Sequence, residues 1–161
     1  MTKSTQPIPP GHENLIPHLV CDPCAQAIEF YKKAFGAEEV FRMSEPDGRR
    51  IMHAALRIGN SFVFMNDDFP EACGGKSMSP KALKGTPVTF HHYVVDCDAA
   101  IKRALDAGAT VMMPVADMFW GDRYGIVTDP FGHNWAFATH IQDLTPAQME
   151  AGMKEAFAQQ A

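Results

Sequence analysis

Seven histidines and four cysteines are the side chains of this 161-residue chain best suited to chemistry at neutral pH, and some stand at telling spacings. His18 and His91 lie 73 residues apart, each within a short apolar run of strand character. Two imidazoles at equivalent positions are a starting point for Zn, Ni, Fe or Mn, and His53, on another strand-like segment, is a third candidate. Cys21-Asp22-Pro23-Cys24 lies between a strand and a helix, the arrangement of dithiol redox centres, where a helix N-terminus lowers a thiol pKa. Trp120-Gly121-Asp122-Arg123 places a guanidinium beside an indole and a carboxylate. Such an Arg can fork onto a carboxylate or phosphonate or stack on a planar molecule, and its alternative use is a local Asp122–Arg123 ion pair that fixes the loop. His92 has the opposite strand parity to His91 and reads as a core or surface residue, His12 and His140 as solvated, and His133 as a hydrogen-bonding partner of turn backbone. Neither Cys73 nor Cys97 has a His at a fixed spacing, and no phosphate-cradling Gly-rich loop, Ser nucleophile elbow or close carboxylate pair is present.

The elements that must position these residues follow a repeated order. A strand at 15–21, with Pro17 arguing for an edge, leads to a helix at 23–35 with Asp22 as N-cap and Pro23 at its first position. Ala27, Ile28, Tyr31, Ala34 and Phe35 give that helix its apolar face, and Gly36 stops it. Strands at 38–45, 50–58 and 61–67 follow, separated by Pro46-Asp47-Gly48 and Gly59-Asn60 turns. After a Pro-, Gly-, Ser- and Lys-rich connection at 68–87 the order returns: a strand at 88–95, a helix at 99–107 capped by Asp96 or Asp98, then strands at 110–115, 123–128 and 134–141. The residues repeat too, with Ile28/Ile101, Gly59/Gly132, Phe62/Trp135 and Phe64/Phe137 all 73 apart. Thr145-Pro146-Ala147-Gln148 is a capping box that opens a helix over 146–159. The expected division is an arm at 1–14, modules at 15–67 and 88–143, the connection at 68–87, and a C-terminal helical segment at 144–161.

Composition narrows the function classes. A formal net charge of −5 without a basic run offers no footprint for nucleic acid. No apolar run approaches about 18 residues, and 1–13 has no signal-peptide core, so the expectation is a cytoplasmic protein that does not enter a membrane. Four cysteines are too few for a disulfide scaffold and are expected as thiols.

Two β-α-β-β-β modules of about 50 residues are the building plan of the vicinal oxygen chelate superfamily, which includes glyoxalase I, extradiol dioxygenases, fosfomycin-resistance transferases and bleomycin-binding proteins. The sequence resembles it in Ala27-Ile28-Glu29-Phe30-Tyr31 through Ala34-Phe35-Gly36-Ala37 and in Asp129-Pro130-Phe131-Gly132-His133-Asn134-Trp135. His53-Ala54, Val95-Asp96-Cys97-Asp98 and Trp120-Gly121-Asp122-Arg123 resemble the PhnB-like branch. The resemblance implies an α+β fold, two curved half-sheets around an inter-module cavity, and a homodimer with 146–159 as a candidate contact. Metal-using relatives place one ligand on each first strand, here His18 and His91, and a Glu on each last strand, here near Val63 and Ala136. Neither of the latter can ligate. The expectation is therefore a protein that binds a small planar, anionic or antibiotic-like molecule without the usual metal or another cofactor, through His18, His53, His91, Trp120 and Arg123, with 68–87 as a lid. The alternative is a glyoxalase-type lyase, isomerase or dioxygenase whose divalent metal is held by His18, His91 and His53. A dithiol redox protein centred on Cys21 and Cys24 is a third reading.

Overall fold

Apolar residues at helical spacing form α1, Cys24–Phe35, which buries Ala27, Ile28, Tyr31, Ala34 and Phe35 and ends at Gly36 in the left-handed conformation (φ 67°). These residues belong to a computed structural model that describes residues 5–158, divided into two compact units, Met1–Gly85 and Thr86–Ala161. Residues 1–4 of the expected arm and 159–161 of the expected C-terminal segment lie outside the described residues.

The N-terminus of α1 differs from the sequence expectation. Pro23, not Asp22, is the cap residue, and no local side chain caps the helix. A carboxylate from a distant strand does so instead, since Asp67 accepts the Cys24 N–H at 2.7 Å. Local sequence cannot reveal a cap supplied 43 residues away.

In the first unit, β1 (His18–Cys21), β2 (Glu38–Ser44), β3 (Ile51–Ile58) and β4 (Ser61–Asp67) form a sheet in the order β1-β4-β3-β2. β1 runs parallel to β4, and the other pairs are antiparallel. Side chains alternate along each strand. Leu19, Cys21, Ala54, Leu56, Ile58, Val63 and Met65 are buried with α1, whereas His18, Phe41, Met43, His53, Phe62, Phe64 and Asn66 occupy the face that carries no helix. A register shift opposite Met43/Ser44 leaves Met52 as a bulged residue, half exposed, while Ile51 turns into the core at 3% exposure. The connection 68–87 has structure of its own, a 3-10 turn at Pro70–Ala72 and a short α2 at Pro80–Leu83.

The second unit repeats the plan with β5 (Thr89–Tyr93), α3 (Cys97–Ala107), β6 (Thr110–Asp117), β7 (Asp122–Thr128) and β8 (Asn134–His140), in the sheet order β5-β8-β7-β6. Asp96 caps α3 by accepting the Ala99 N–H at 2.9 Å. Gly125 lies under this helix: a Cβ there would stand 2.6 Å from Ile101 Cδ1, 3.1 Å from Val115 Cγ2 and 3.2 Å from the Met113 carbonyl oxygen, so any side chain would push these neighbours aside. Asp129 explains the Asp-Pro-Phe-Gly-His-Asn-Trp segment as architecture. Its buried carboxylate accepts the Phe131 and His133 N–H groups, each at 2.9 Å, and the Trp135 indole N–H at 3.0 Å.

The capping box forms as expected. Thr145 and Gln148 exchange hydrogen bonds at the start of α4, Pro146–Ala158, which has no buried residue and packs Gly152 against Phe119. Among the described residues no helix is long and apolar enough to cross a membrane.

Pairing corrects the period of the repeat. His18 lies opposite Phe64, and His91 lies opposite Ala136, so β1 and β5 are offset by 73 but β4 and β8 by 72. The match Phe64/Phe137 at 73 therefore joins residues on opposite faces, because Phe137 pairs with Gly125 beneath α3. The helices account for it: α1 has 12 residues and α3 has 11, so the offset of 73 at Cys24 and Cys97 has become 72 at Gly36 and Gly108.

Candidate functional site

In the first unit the helix-free face carries a group of rings. His18 and His53 stand 5.7 Å apart, centroid to centroid and nearly perpendicular, and Phe64 lies 4.8 Å from His53 and 6.1 Å from His18. Phe41 borders His53 at 6.1 Å. These residues come together because β1, β4 and β2 place His18, Phe64 and Phe41 level with Ala55 of β3, while His53 stands on the same face one step of the pleat along β3. Burial, reinforced by the neighbouring His53, holds His18 below the ordinary histidine value despite a hydrogen bond with the Asn66 side chain. His18 is thus an uncharged imidazole at neutral pH. His12, expected to be solvated, instead stacks on Phe62 at 4.5 Å with its ring nearly parallel, so the arm lies against this face.

The second unit builds a different group on its equivalent face. His91 lies 4.7 Å from Tyr93 and 5.7 Å from Tyr124, and Trp120 meets Tyr124 edge-on at 5.6 Å. Behind them Asp122, 4% exposed, accepts the Trp120 indole N–H and the Tyr93 hydroxyl, both at 3.2 Å, and bonds His140 Nδ1 at 2.8 Å. His140 Nε2 reaches Asp143 at 3.0 Å. Both ring nitrogens face carboxylates, which favours the protonated ring, and Asp122, followed by Asp143, raises the His140 pKa above the ordinary value. His140 is therefore not the unattached, solvated residue that the sequence suggested. Gly121 is required here because a Cβ would collide with the Gln142 carbonyl oxygen, and its φ is +95°.

Arg123 departs most from expectation. It lies on the α3 side of β7, where Nε and Nη2 donate to both oxygens of Asp98 at 2.7 and 2.8 Å and Nη1 donates to Asp117 at 3.0 Å. Its guanidinium is therefore engaged structurally instead of being presented as a fork to a ligand, and its partner is not Asp122. Strand parity decides this, since Asp122 and Arg123 must face opposite ways. His92, on the α3 side as expected, is held below the ordinary histidine value by burial and by His91, and its Nδ1 is buried without a hydrogen-bond partner.

The dithiol reading does not survive the geometry. Cys21 and Cys24 are fully buried, and burial together with Asp67 pushes the Cys24 thiol up to about 12. That is the reverse of a reactive thiolate.

The residues present do not fit the family's metal. The last-strand position paired with His18 is Phe64, one residue beyond the expected Val63, and the position paired with His91 is Ala136. Neither offers a donor atom, and the further polar side chain at His18 is the neutral amide of Asn66. Among the described residues no three His, Cys, Asp or Glu side chains converge to hold a metal ion.

Sequence reasoning named His18, His53, His91 and Trp120 on these faces but missed Tyr93, Tyr124, Phe64 and Asp122. Tyr93 and Asn66 were legible through parity, two residues beyond His91 and Phe64 on the same strands. Tyr124 and Asp122 required the register of β7.

A family model described as the Glyoxalase/Bleomycin resistance protein/Dioxygenase superfamily matches residues 15–137. An uncharacterised protein of Mycobacterium tuberculosis is 52% identical over 139 residues, covering 86% of this chain and 81% of the relative. Among solved structures, a gene product of Arabidopsis thaliana is 30% identical with a TM-score of 0.63, covering 78% of this chain and 98% of the other. TioX from Micromonospora sp. is 26% identical with a TM-score of 0.61, covering 80% and 99%. With the repeated β-α-β-β-β order and most of its length matched, the chain belongs to the glyoxalase/bleomycin resistance protein/dioxygenase superfamily.

Proposed function

We propose that this protein binds a small planar molecule against the helix-free face of its first sheet, without a resident metal or other cofactor. One observation carries the reading: Phe64 stands beside His18 and His53 where metal-using relatives are expected to place a carboxylate. The substitution exchanges a ligating oxygen for a stacking surface. Two imidazoles and a phenyl ring supply contact area and a few directed hydrogen bonds, the usual composition of a small-molecule site. An anionic ligand is less well served than the sequence suggested, since Arg123 is bound by two carboxylates. His91 and Trp120 extend the same ring-rich character to the second unit.

Within the superfamily we take the chain as PhnB-like on the strength of His53-Ala54, Val95-Asp96-Cys97-Asp98 and Trp120-Gly121-Asp122-Arg123. We also take it as a cytoplasmic homodimer. Exposed Met153 and Phe157 on α4 support a subunit contact there, and light scattering should give twice the chain mass.

The test is a thermal-shift screen of antibiotics, phosphonates and planar aromatic alcohols, because a ligand specific for the folded state raises its stability with the logarithm of concentration. A planar compound should raise the melting temperature of the wild type and lose that effect in Phe64→Ala. Stoichiometric metal in protein purified without a polyhistidine tag, lost in His18→Ala, would overturn the metal-free reading in favour of the glyoxalase-type enzyme.

A further inference from the structure

A cavity of about 320 Å³ lies wholly within the first unit, on the same sheet face as the His18–His53 pair and under the segment that follows β4. Val20, Met52, Phe69 and Met78 give it apolar walls, Ala72 and Cys73 complete the lining, and Asn66 and Asp68 are its polar neighbours. Val20 and Asn66 are paired in register, one step of the pleat beyond His18 and Phe64, so the cavity adjoins the ring group directly.

Several independent contacts hold the walls in place. The Arg50 guanidinium lies 4.2 Å over one face of Phe69 and donates to Glu45 and, at 2.6 Å, to Glu71, which ties the 69–71 segment to the β2–β3 turn. Asp68 gathers the far side of the segment by accepting the Met78 and Ser79 N–H groups, each at 3.1 Å, and the Ser77 hydroxyl. The bulge at β3 aims Met52 toward this space instead of into the core. These ties form the pocket before any ligand arrives.

The chemistry of the walls selects the guest. The cavity presents two thioethers, a valine, a phenyl ring, the Ala72 methyl and the uncharged Cys73 side chain, all compatible with a ring edge or face. Its one charge is a carboxylate already supplied with three donors, which repels an anion and has no call for a further donor. Asn66 spends its Nδ2 on the Asp67 carbonyl at 2.6 Å and a side-chain hydrogen bond on His18. We infer that this cavity takes the uncharged aromatic portion of the ligand, while its polar edge lies toward His18 and His53; the inference rests on the binding reading above and assigns the ligand's chemical class.

The matched pair 2-naphthol and 2-naphthoate, one neutral and one anionic at pH 7, tests this by NMR on the full chain carrying 13C-methyl methionine. Addition of 2-naphthol should move the Met52 and Met78 methyl signals upfield through the ring current and leave Met112 and Met153 unmoved, with assignments from Met52→Leu and Met78→Leu. Its dissociation constant should be at least tenfold lower than that of 2-naphthoate and should rise about tenfold in Ala72→Trp, which fills the cavity from an exposed position. If 2-naphthol moves the His18 and His53 ring protons but leaves Met52 and Met78 still, the face binds and the cavity assignment falls. If it moves neither set, both fall. Equal affinity for the two naphthalenes overturns the preference for an uncharged guest, and the spectra of the wild type decide the matter should Ala72→Trp not fold.

Discussion

Replacing Asp67 by Ala should destabilise the first unit more than any surface substitution. The Asp67 side chain is buried, its residue 6% exposed, and its two oxygens accept the Cys24 N–H at 2.7 Å and the Ile51 N–H at 2.6 Å. Those bonds join the start of α1 and the start of β3 to the end of β4. A buried amide left without an acceptor costs roughly 1–3 kcal/mol, so losing both costs about 2–6 kcal/mol. The helix adds a smaller term. α1 has no acidic residue in its first turn, so Asp67 is the anion at its positive end, an interaction worth about 0.3–1 kcal/mol. Against a total domain stability of about 5–15 kcal/mol, the loss is large. Urea unfolding followed by circular dichroism measures it, with an unchanged slope showing that the native and unfolded states are otherwise alike. Asp67→Asn should fall in between, because its amide keeps one acceptor but points a donor at the other N–H. A loss below about 1 kcal/mol in Asp67→Ala, or wild-type stability in Asp67→Asn, would refute the reasoning that this carboxylate is the remote cap of α1.

Four further outcomes follow from single residues. Histidine proton NMR should place the His140 titration above the ordinary value near 6.5 and that of His18 below it, with opposite effects on stability. The His140 contribution is full below the unfolded pKa and lost as pH rises through the raised folded value; that of His18 is present above the unfolded pKa and lost as pH falls through the depressed one. Asp122→Asn should return His140 toward 6.5, and an unmoved titration would remove Asp122 as the cause. Gly125→Ala should cost about 1–3 kcal/mol by crowding Ile101, Val115 and the Met113 carbonyl, read as a lowered urea midpoint. Arg123→Ala should cost at most about 1 kcal/mol and change ligand affinity less than twofold, since its two partners, Asp98 and Asp117, are exposed ion-pair contacts; a large affinity loss would reinstate it as a ligand contact. Thiol labelling of the native chain should modify Cys73 rapidly and leave Cys21, Cys24 and Cys97 until the chain unfolds, whereas rapid reaction at Cys24 would revive the dithiol reading.

Much of the fold was legible because it rests on local signals: apolar spacing in α1, Gly36 and Gly108 as stops, Asp96 as a cap, and the Thr145–Gln148 box. What escaped depends on contacts between distant segments. The remote cap at Asp67, the bulge at Met52 and the one-residue slip between the repeats are all settled by strand pairing, which sequence spacing does not encode. The slip mattered most for the site, because a shift of one residue moves a strand position to the other face. It turned Val63 into Phe64 as the partner of His18. Arg123 misled for the same reason, since the chain-adjacent Asp122 lies on the opposite face and the true partners are Asp98 and Asp117.

The corrected register also separates the two faces by what the repeat keeps. Beneath the helices the pairs are Ile28/Ile101, Ala54/Gly125 and Met65/Phe137, apolar or small on both sides, as close packing against a helix demands. On the helix-free faces the pairs are Val20/Tyr93, His53/Tyr124, Phe64/Ala136 and Asn66/Ala138, and these change in size, polarity and aromatic character. Both copies nevertheless hold a histidine at the first-strand position and gather rings around it. Packing under α1 or α3 cannot be the reason for those rings, because they lie on the other side of each sheet. Rings held on a face that the core does not use, and arranged differently in each copy, are free to serve contacts other than packing, and each unit's face is shaped for contacts of its own.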